Sequence, residues 1–467
     1  METDKIYDKK VKITALLVVS LGSFLIPFMG SSLNIALPII QRDLSINLIL
    51  LSWIPTVFVL ANAATILPLG RLGDIIGRKK VFTYGMIIYT IASLLAGFSS
   101  SGIYLVIFSF LQGIGCAMIF ASAVALLSSV YPSNERGGAL GIYITAIYLG
   151  LLLGPLLGGF LAQHFGWRSI FLFNVPIGLL IIALIALRVP GEWKGYKGEK
   201  FEITGSVIYT ISLVAILYGV STFQDNIGRI LLFAGLVGLG IFVLKERRSS
   251  NPILRLNIFR KRESSLSALA ILIMNITTTS MWTLLSLYFQ DIHAIGPQVT
   301  ALILSVQPLM VAILSTPIGR FSDRIGNRIF SILGMTFATM GLIILSTLTD
   351  TTGLSIPIAG LILVGVGLGF FNSPTTNKFM GSIDGKDYGM AGATLSTMIY
   401  VGQTLSLTVM LYIFSVFIGN VQITVTNFFL FLISLKTAFI VFALISGFGL
   451  IVTLLIGPNT IKNKMKI

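Results

Sequence analysis

The chain has 467 residues, of which 55% are hydrophobic and 10% are charged, and its formal net charge is +15. A soluble globular protein carries about 25% charged residues, so this composition, with a mean hydropathy of +0.94, excludes a water-soluble domain. One cysteine and two histidines exclude a disulfide scaffold and leave almost no ligands for a metal site. The composition therefore predicts an integral membrane protein, and we expect no metal or other cofactor.

Apolar stretches of about 20 residues, the length that crosses a bilayer, recur along the whole chain. The first follows Lys9, Lys10 and Lys12 and runs to about Pro38, which is too long for a cleaved signal segment. We predict fourteen spans, at about 13–38, 49–69, 81–100, 103–130, 138–163, 168–188, 202–223, 227–244, 265–289, 298–318, 329–349, 354–375, 389–418 and 436–457.

Positive residues are unequally divided between the loops of this topology. With the N-terminus placed in the cytoplasm, the inner segments hold 28 Lys and Arg residues and the outer segments hold 4. Such an excess is typical of cytoplasmic loops. Because fourteen is even, both termini are predicted to be cytoplasmic. The basic charge therefore indicates topology and contact with anionic inner-leaflet lipid, not a nucleic-acid partner.

Two polar segments repeat within this apolar chain. "GRLGDIIGRKK" (70–80) lies between predicted spans 2 and 3, and "GRFSDRIGNR" (319–328) lies between spans 10 and 11. The spacing predicts an all-α membrane protein of two six-helix bundles with two extra transmembrane helices between them. Its domains would be an N-terminal half (1–190), the inserted spans with their cytoplasmic loops (191–262) and a C-terminal half (263–467). Many secondary transporters are built from such paired halves.

Five motifs in register resemble the major facilitator superfamily, and within it the fourteen-span drug/proton antiporter branch. They are the two polar hinges, "LNIALP" (33–38), "GLLLGPLLGG" (150–159) and "GWRSIFLFNVPIG" (166–178). The resemblance covers nearly the whole chain and implies a transporter rather than an enzyme. In agreement with this, the spans carry no catalytic constellation, and no nucleotide-binding Gly-x-x-x-x-Gly-Lys motif occurs.

The hinge residues also have a physical interpretation. Their glycines supply tight turns, and Asp74 can pair with Arg78 or lie near the positive N-terminal end of a facing helix. The resemblance implies that this contact is a latch that holds the cytoplasmic side closed. The alternative is that the basic residues only anchor the loop at lipid headgroups. The predicted latch residues are Gly70, Asp74, Gly77, Arg78, Asp323 and Arg324.

Small residues recur on one face of predicted span 5. Gly150, Gly154 and Gly158 follow one another at four-residue spacing, which predicts close helix packing. Pro155 removes one backbone hydrogen bond. Together with Gly159, these residues resemble the family's exporter motif, so the resemblance implies export rather than uptake.

Two positions depart from the family pattern. The acidic residue of the family's span 1 is Met29 here, and its span 4 arginine is Ser109. No carboxylate falls in the middle of a predicted span, where a charge costs roughly 2.5–3.5 kcal/mol or more and is normally kept for function. Proton coupling therefore stays open, and the candidate carriers are the span-end groups Asp43, Asp291 and His293.

Uncharged polar and aromatic side chains within spans are the natural lining of a substrate cavity, although such groups also hold helices together. The predicted cavity residues are Met29, Asn34, Ser109, Gln112, Asn275, Trp282, Gln307, Asn372 and Gln403. A neutral cavity with soft Met and aromatic side chains suits lipophilic small molecules better than anions or sugars.

These observations predict a multi-pass transporter of the cell membrane that exports drug-like small molecules by alternating access. A monomer is expected. Two alternatives stay open. One is a facilitator or lipid-like solute exporter of the same fold without proton coupling, and the other is a non-transporting membrane sensor or scaffold.

Overall fold

The computed structural model describes residues 9–46, 48–195, 199, 201–221, 226–249, 252–254, 256–417 and 428–457. Predictions for the two chain termini lie outside the described residues. Within these ranges every regular element is helical. The α-helices are α1 (Lys9–Leu44), α2 (Leu48–Ile76), α3 (Arg78–Gly97), α4 (Gly102–Val130), α5 (Arg136–Phe165), α6 (Arg168–Arg188), α7 (Ile203–Ser221), α8 (Asn226–Arg248), α9 (Arg262–Thr278), α10 (Met281–Leu287), α11 (Pro297–Leu304), α12 (Val306–Ile325), α13 (Asn327–Leu345), α14 (Ser355–Gly381), α15 (Tyr388–Phe417) and α16 (Phe428–Leu454).

Most of these helices have the length and apolar composition of membrane spans. Thirteen helical segments in the described ranges are long and apolar enough to cross a bilayer. Predicted span 202–223 corresponds to α7, whose apolar segment Ile203–Gly219 is shorter. Helices suit this environment because lipid offers no hydrogen-bond partners to an unpaired backbone. The chain is therefore an all-helical, multi-pass membrane protein with about 13–14 apolar helices.

Each polar hinge contains one glycine with a positive φ angle. Gly77, with a φ of 125°, separates α2 from α3, and Gly326, with a φ of 116°, separates α12 from α13. A residue with a Cβ atom in such a conformation carries about 1–3 kcal/mol of strain. The shared glycine explains why both helix pairs are interrupted at the same place in the repeat.

Predicted span 265–289 is not one continuous helix. α9 gives way to α10 near Ser280, and a π-helical turn at Tyr288–Ile292 follows. Lipid cannot pair the backbone groups that such a break releases. Ser406 Oγ instead accepts the backbone N–H of Ser280 at 3.0 Å. A side chain of the same unit thus replaces the missing backbone partner, which the apolar pattern alone did not indicate.

The chain divides into two compact units. The first contains Met1–Ile258 together with Ile383–Thr397, and the second contains Phe259–Ser382 and Met398–Ile467. In the first unit α1 packs along α5, α2 and α3 pack along α4, and α7 pairs with α8 as a hairpin. In the second unit α13 packs on α14 and α16, and α9 packs on α16. The segment Ile383–Thr397, which includes the start of α15, therefore belongs to the first unit despite its late place in the sequence.

Candidate functional site

The first hinge places one buried carboxylate against the start of a helix. Asp74, near the end of α2, is 0% exposed. Its Oδ1 accepts the backbone N–H of Gly389 and its Oδ2 accepts that of Met390, each at 2.7 Å. These amides lie in the first turn of α15, where backbone N–H groups have no partner within the helix and the helix dipole favours a negative charge. Asp74 therefore caps α15.

The guanidinium of Arg78 compensates the charge of Asp74. Its Nε and Nη2 donate to Asp74 Oδ1 at 3.1 and 2.8 Å. Nη1 donates to Ser129 Oγ at 2.5 Å, and Nη2 also donates to the carbonyl oxygen of Gly385 at 2.6 Å. A buried ion pair offsets its desolvation only when its remaining polar atoms are also hydrogen-bonded. Arg78 meets this condition by joining α3 to the end of α4 and to the turn before α15.

Two arginines hold the first residue of α15. The guanidinium carbon of Arg78 lies 5.4 Å from the centre of the Tyr388 ring, and that of Arg136 lies 5.2 Å from it. Both distances are within the range of a cation–π contact. Arg136 is buried at the start of α5 and donates to the carbonyl oxygen of Ser128 at 3.1 Å. The start of α15 is thus fixed by contacts with α3 and α5 as well as by Asp74.

Glycine allows this close approach. A Cβ atom on Gly70 would lie 2.2 Å from the Cβ of Ala393, and one on Gly389 would lie 2.5 Å from Asp74 Oδ1. Both distances are too short for real non-bonded atoms. The hinge and α15 therefore meet at backbone distance, and any side chain at either glycine would force them apart.

The linker after α6 completes the hinge. The backbone N–H of Gly195 donates to the carbonyl oxygen of Asp74 at 2.8 Å. Glu192 Oε1 accepts the backbone N–H of Lys79 at 2.9 Å, so it caps the start of α3, and its side chain lies against Gly77. These linker residues had no predicted role, because nothing in their local pattern indicates a partner 110 or more positions away.

The second hinge, in the second unit, has the same turn but different contacts. Asp323 is half-buried, and its Oδ1 accepts a hydrogen bond from Asn377 Nδ2 on α14 at 3.1 Å. Asn377 Nδ2 also lies 3.4 Å from Asn327 Oδ1. Asn327 occupies the place that Arg78 has in the first hinge, four residues after the aspartate. Arg324, predicted to be part of the latch, is exposed.

The glycines of α5 face α1. A Cβ atom on Gly150 would lie 2.3 Å from a backbone oxygen of α1, one on Gly154 would lie 1.8 Å from Ser31 Oγ, and one on Gly158 would lie 2.4 Å from Ser32 Cβ. Ser32 Oγ also donates to the carbonyl oxygen of Gly154 at 2.9 Å. This surface needs residues without side chains. The other two residues of the predicted exporter motif are half-buried in the same unbroken helix: Pro155 and Gly159.

Met29, which replaces the family's acidic residue, lies in a buried and uncharged environment. It is 2% exposed, and Asn174 Nδ2 on α6 lies 3.5 Å from its Sδ. Tyr89 Oη in turn lies 3.4 Å from Asn174 Oδ1. A methionine in this place gives Asn174 a weak acceptor in place of a carboxylate. Asn174 belongs to the "FLFNVPIG" stretch but was not among the predicted cavity residues.

The other cavity candidates of the first unit differ in exposure. Gln112 is buried, and its Nε2 donates to Ser93 Oγ at 2.8 Å. Ser109 is buried, and its hydroxyl has no hydrogen-bond partner in the described part of the chain. Asn34 is exposed. Their role in a substrate cavity remains a prediction.

The structure brings two cavity candidates of the second unit together. Trp282 Nε1 donates to Gln307 Oε1 at 2.9 Å. A Cβ atom on Gly402 would lie 2.8 Å from the Cβ of Asn275, so Asn275 packs against α15 one residue before Gln403. Asn372 is half-buried on α14. These residues also remain candidates for the cavity.

The outer acidic candidate Asp43 lies at the end of α1, beyond the candidate span Lys9–Asn34. Hydrogen bonds from the Trp167 indole at 2.9 Å and from Arg168 at 2.8 Å hold the pKa of the Asp43 carboxyl below its ordinary value of 3.8. A carboxylate of this kind stays ionised at neutral pH, so Asp43 is poorly suited to pick up and release a proton there.

The other two carrier candidates lie at the far end of the α10 segment. The His293 ring packs against the Tyr288 ring with centroids 4.8 Å apart, and its Nε2 is buried without a hydrogen-bond partner among the described residues. The side chain of Asp291 lies outside the described residues.

Long apolar helices and two repeated polar hinges define a multi-pass transporter. The chain belongs to the major facilitator superfamily: the model for "Major Facilitator Superfamily" matches residues 19–245 and 267–466. Two bacterial relatives carry transporter or resistance names. The riboflavin transporter RibZ of Clostridioides difficile is 28% identical over 392 residues, which cover 83% of this chain and 85% of RibZ. The multidrug resistance protein Stp of Mycobacterium tuberculosis is 29% identical over 408 residues, which cover 86% of this chain and 75% of Stp.

A solved structure shows the same fold. The human organic anion transporter MFSD10 matches 95% of this chain and 99% of its own, with a TM-score of 0.67 and 11% sequence identity. At this identity the likeness concerns the fold alone. The family match and the names of the bacterial relatives identify the chain as a transporter of small molecules with relatives in multidrug efflux.

Proposed function

We propose that this chain is a cell-membrane exporter of apolar or weakly amphipathic small molecules that works by alternating access. It would be a fourteen-span monomer of the drug/proton antiporter branch, with α7 as the additional span and both termini in the cytoplasm. Its parts would be two six-span halves, 1–190 and 263–467, on either side of the inserted segment 191–262. The names of the relatives Stp and RibZ support transport of drug-like or neutral aromatic compounds.

The observation that carries this proposal is the cap that Asp74 places on α15. Alternating access needs a contact that closes firmly and can also open. The two bonds from Asp74 to Gly389 and Met390 are charge-assisted, and each is worth about 1.5–3 kcal/mol. Arg78 lies on the hinge side of this contact and stays paired with Asp74 when the segment 383–397 moves away. Opening therefore leaves no uncompensated charge.

The interior of the first unit supports an uncharged substrate. At the position where the resemblance implies an acidic residue, Met29 contacts the amide of Asn174, and Gln112 bonds to a serine hydroxyl. Neutral amide and thioether groups recognise shape and weak polarity and provide no counter-charge for an ion. We therefore place lipophilic neutral compounds ahead of cations, anions and sugars.

A transporter of the same fold without proton coupling is the second candidate. It is favoured by Met29 and Ser109 at the positions of the family's charged residues and by the lowered pKa of Asp43. Coupling in the antiporter branch would then depend on Asp291 or His293. A lipid-like solute would be a natural substrate for such a facilitator.

Purified protein in liposomes tests both candidates. Efflux of a neutral lipophilic dye and movement of a fluorescent lipid would be followed with and without an imposed pH gradient. We expect dye efflux that the Asp74→Asn variant reduces strongly. Acceleration by the gradient would establish antiport, and indifference to it would establish facilitated export. Absence of flux for every solute, in vesicles where a related exporter is active, would contradict the proposal.

A further inference from the structure

The inserted hairpin carries a pair of carboxyl groups, one buried and one half-buried, that the hinge mechanism does not use. Glu202 lies just before α7, and Glu246 lies in the last turn of α8. The two residues therefore meet at the same end of the hairpin. We propose that Glu202 and Glu246 form a proton-binding site in which the two carboxyl groups share one proton.

Glu246 is the more deeply buried of the two. It is 4% exposed, and its Oε2 accepts the backbone N–H of Leu254 at 2.9 Å. Its Oε1 is buried and has no hydrogen-bond donor in the described part of the chain. A buried carboxylate oxygen without a donor is strongly disfavoured, so this atom needs a partner.

Glu202 presents a second oxygen of the same kind. Its Oε1 pairs with Lys245 Nζ at 2.7 Å, while its Oε2 is buried and likewise has no donor within the described ranges. A Cβ atom on Gly205 would lie 2.3 Å from Glu202 Oε2 and 2.9 Å from Glu246 Oε1. The two unpaired oxygens therefore converge on one point above the backbone of α7. Only a glycine leaves that point free.

A shared proton satisfies both oxygens. Ionised carboxylates can only accept hydrogen bonds, whereas a protonated carboxyl group donates one. Two carboxyl groups in contact cannot both ionise without strong repulsion, so one of them keeps its proton. Glu202 Oε2 and Glu246 Oε1 both lie within 2.9 Å of the same point above Gly205, so the two carboxyl groups are close neighbours. One proton on this pair converts two unpaired acceptors into one hydrogen bond.

The surrounding charges favour a proton over a metal ion. Lys245 already balances Glu202, so the uncompensated charge is that of Glu246 alone. On α8, Arg247 and Arg248 are both exposed, and the described segment 252–254 adds a backbone N–H and no charge. In the described residues no group of three or more potential metal ligands occurs. A metal cation at this point would also be repelled by Lys245.

Loss of the proton would place two negative charges beside a single lysine. The repulsion would separate the start of α7 from the end of α8, so the hairpin would loosen as the pH rises. The packing of the two inserted helices would thus depend on the pH on that side of the membrane. This role requires neither a particular substrate nor a proton gradient.

Infrared spectroscopy of the purified protein in lipid nanodiscs tests the site directly. At neutral pH we expect a band from a protonated carboxylic acid, which both Glu246→Gln and Glu202→Gln remove. Glu135→Gln is the matched control, because Glu135 is an exposed carboxylate paired with Lys12 at 2.8 Å, and it should keep the band. No such band in the unmodified protein, or a band that survives both substitutions, would overturn the proposal. A response to added sodium or magnesium in place of protons would overturn it as well.

Gly205→Ala provides a second, steric test. The added methyl group must push the carboxyl groups apart, so the pH at which the band titrates should fall by about one unit or more. The melting temperature of the unmodified protein should decrease as the pH rises through the titration of this band, and that of Glu246→Gln should not. Equal pH slopes for the two proteins would contradict the proposal even if Gly205→Ala does not fold.

Discussion

The two polar hinges share a sequence pattern but not a physical design. Asp74 and Asp323 are 249 positions apart, and both hinges turn at a glycine with a positive φ angle. In the first hinge the aspartate is fully buried, paired with Arg78 and bonded to the start of α15. In the second, a half-buried aspartate accepts a bond from Asn377. The repeat preserves the turn, but the residue four positions after the aspartate is a buried arginine in the first copy and the amide Asn327 in the second.

This difference indicates how a duplicated element can acquire separate roles. The backbone conformation depends on one glycine, so it survives the replacement of its neighbours. The charged network of the first hinge depends on several partners at once, and at position 327, equivalent to Arg78, an asparagine without charge contacts Asn377. We therefore expect the two aspartates to respond very differently to the same substitution.

The largest expected effect is that of Asp74→Asn compared with Asp323→Asn. Loss of the Asp74 charge leaves Arg78 buried without its counter-ion, and breaking such a pair costs about 3–5 kcal/mol. Since about 1.4 kcal/mol corresponds to a factor of ten, export by Asp74→Asn should fall by at least about tenfold with insertion and folding intact. Asp323→Asn should retain most of the activity. Equal losses in proteoliposome efflux would contradict the asymmetry.

A smaller loss is expected when the contact with α15 is obstructed. Gly389→Ala places a methyl group 2.5 Å from Asp74 Oδ1, and overpacking of this kind costs about 1–3 kcal/mol. Export should fall severalfold. Gly381→Ala is the matched control, because a Cβ atom there has no neighbour within 4 Å. Equal transport by the two variants would contradict the close contact between the first hinge and α15.

The two turn glycines should behave nearly alike. Gly77→Ala and Gly326→Ala each force a side chain into a conformation that carries about 1–3 kcal/mol of strain. Both should lower the melting temperature of the protein in detergent, and Gly77→Ala somewhat more, because the Glu192 side chain lies 2.3 Å from the added atom. A fall for only one of the variants would show that the backbone turn is not the shared property.

The smallest effect is expected outside both hinges, at Asp43. Its pKa is lowered by Trp167 and Arg168, so its carboxylate contributes stability above its ordinary pKa of 3.8 and loses that contribution only as the pH falls below this value. Asp43→Asn should therefore leave the pH profile of export unchanged between about pH 5 and 8. A shifted profile in the same liposome assay would restore Asp43 as a proton carrier.

Local sequence signals predicted the turn and one ion pair. Gly77 and Gly326 mark breaks between apolar runs, and the closeness of Asp74 and Arg78 in the sequence allows an ion pair across the first turn. The apolar runs likewise predicted the helices, because a bilayer requires long apolar segments. The interruption of the helix at Ser280 was not predicted, because the hydrogen-bond partner that compensates it, Ser406, lies on α15, far away in the sequence.

Partners that are remote in sequence could not be assigned. The helix dipole predicted that Asp74 could face a helix start, and a span was predicted at 389–418, but no pattern indicated that Asp74 would meet the helix that begins at Tyr388, 314 positions later. The linker residue Glu192 and the amide Asn377 are ordinary polar residues whose importance comes from what the fold brings next to them. The carboxyl pair of the inserted hairpin is of the same kind, because its members are 44 positions apart.

Hydrogen–deuterium exchange of the segment 383–397 tests the central claim most directly. The backbone N–H groups of Gly389 and Met390 lie in the first turn of α15 and are bonded to Asp74. In nanodiscs, these amides should be protected in the unmodified protein, should exchange at least about tenfold faster in Asp74→Asn, and should be unaffected by Asp323→Asn. Unchanged protection in Asp74→Asn would contradict the account, because the carboxylate of the first hinge would then not be holding α15.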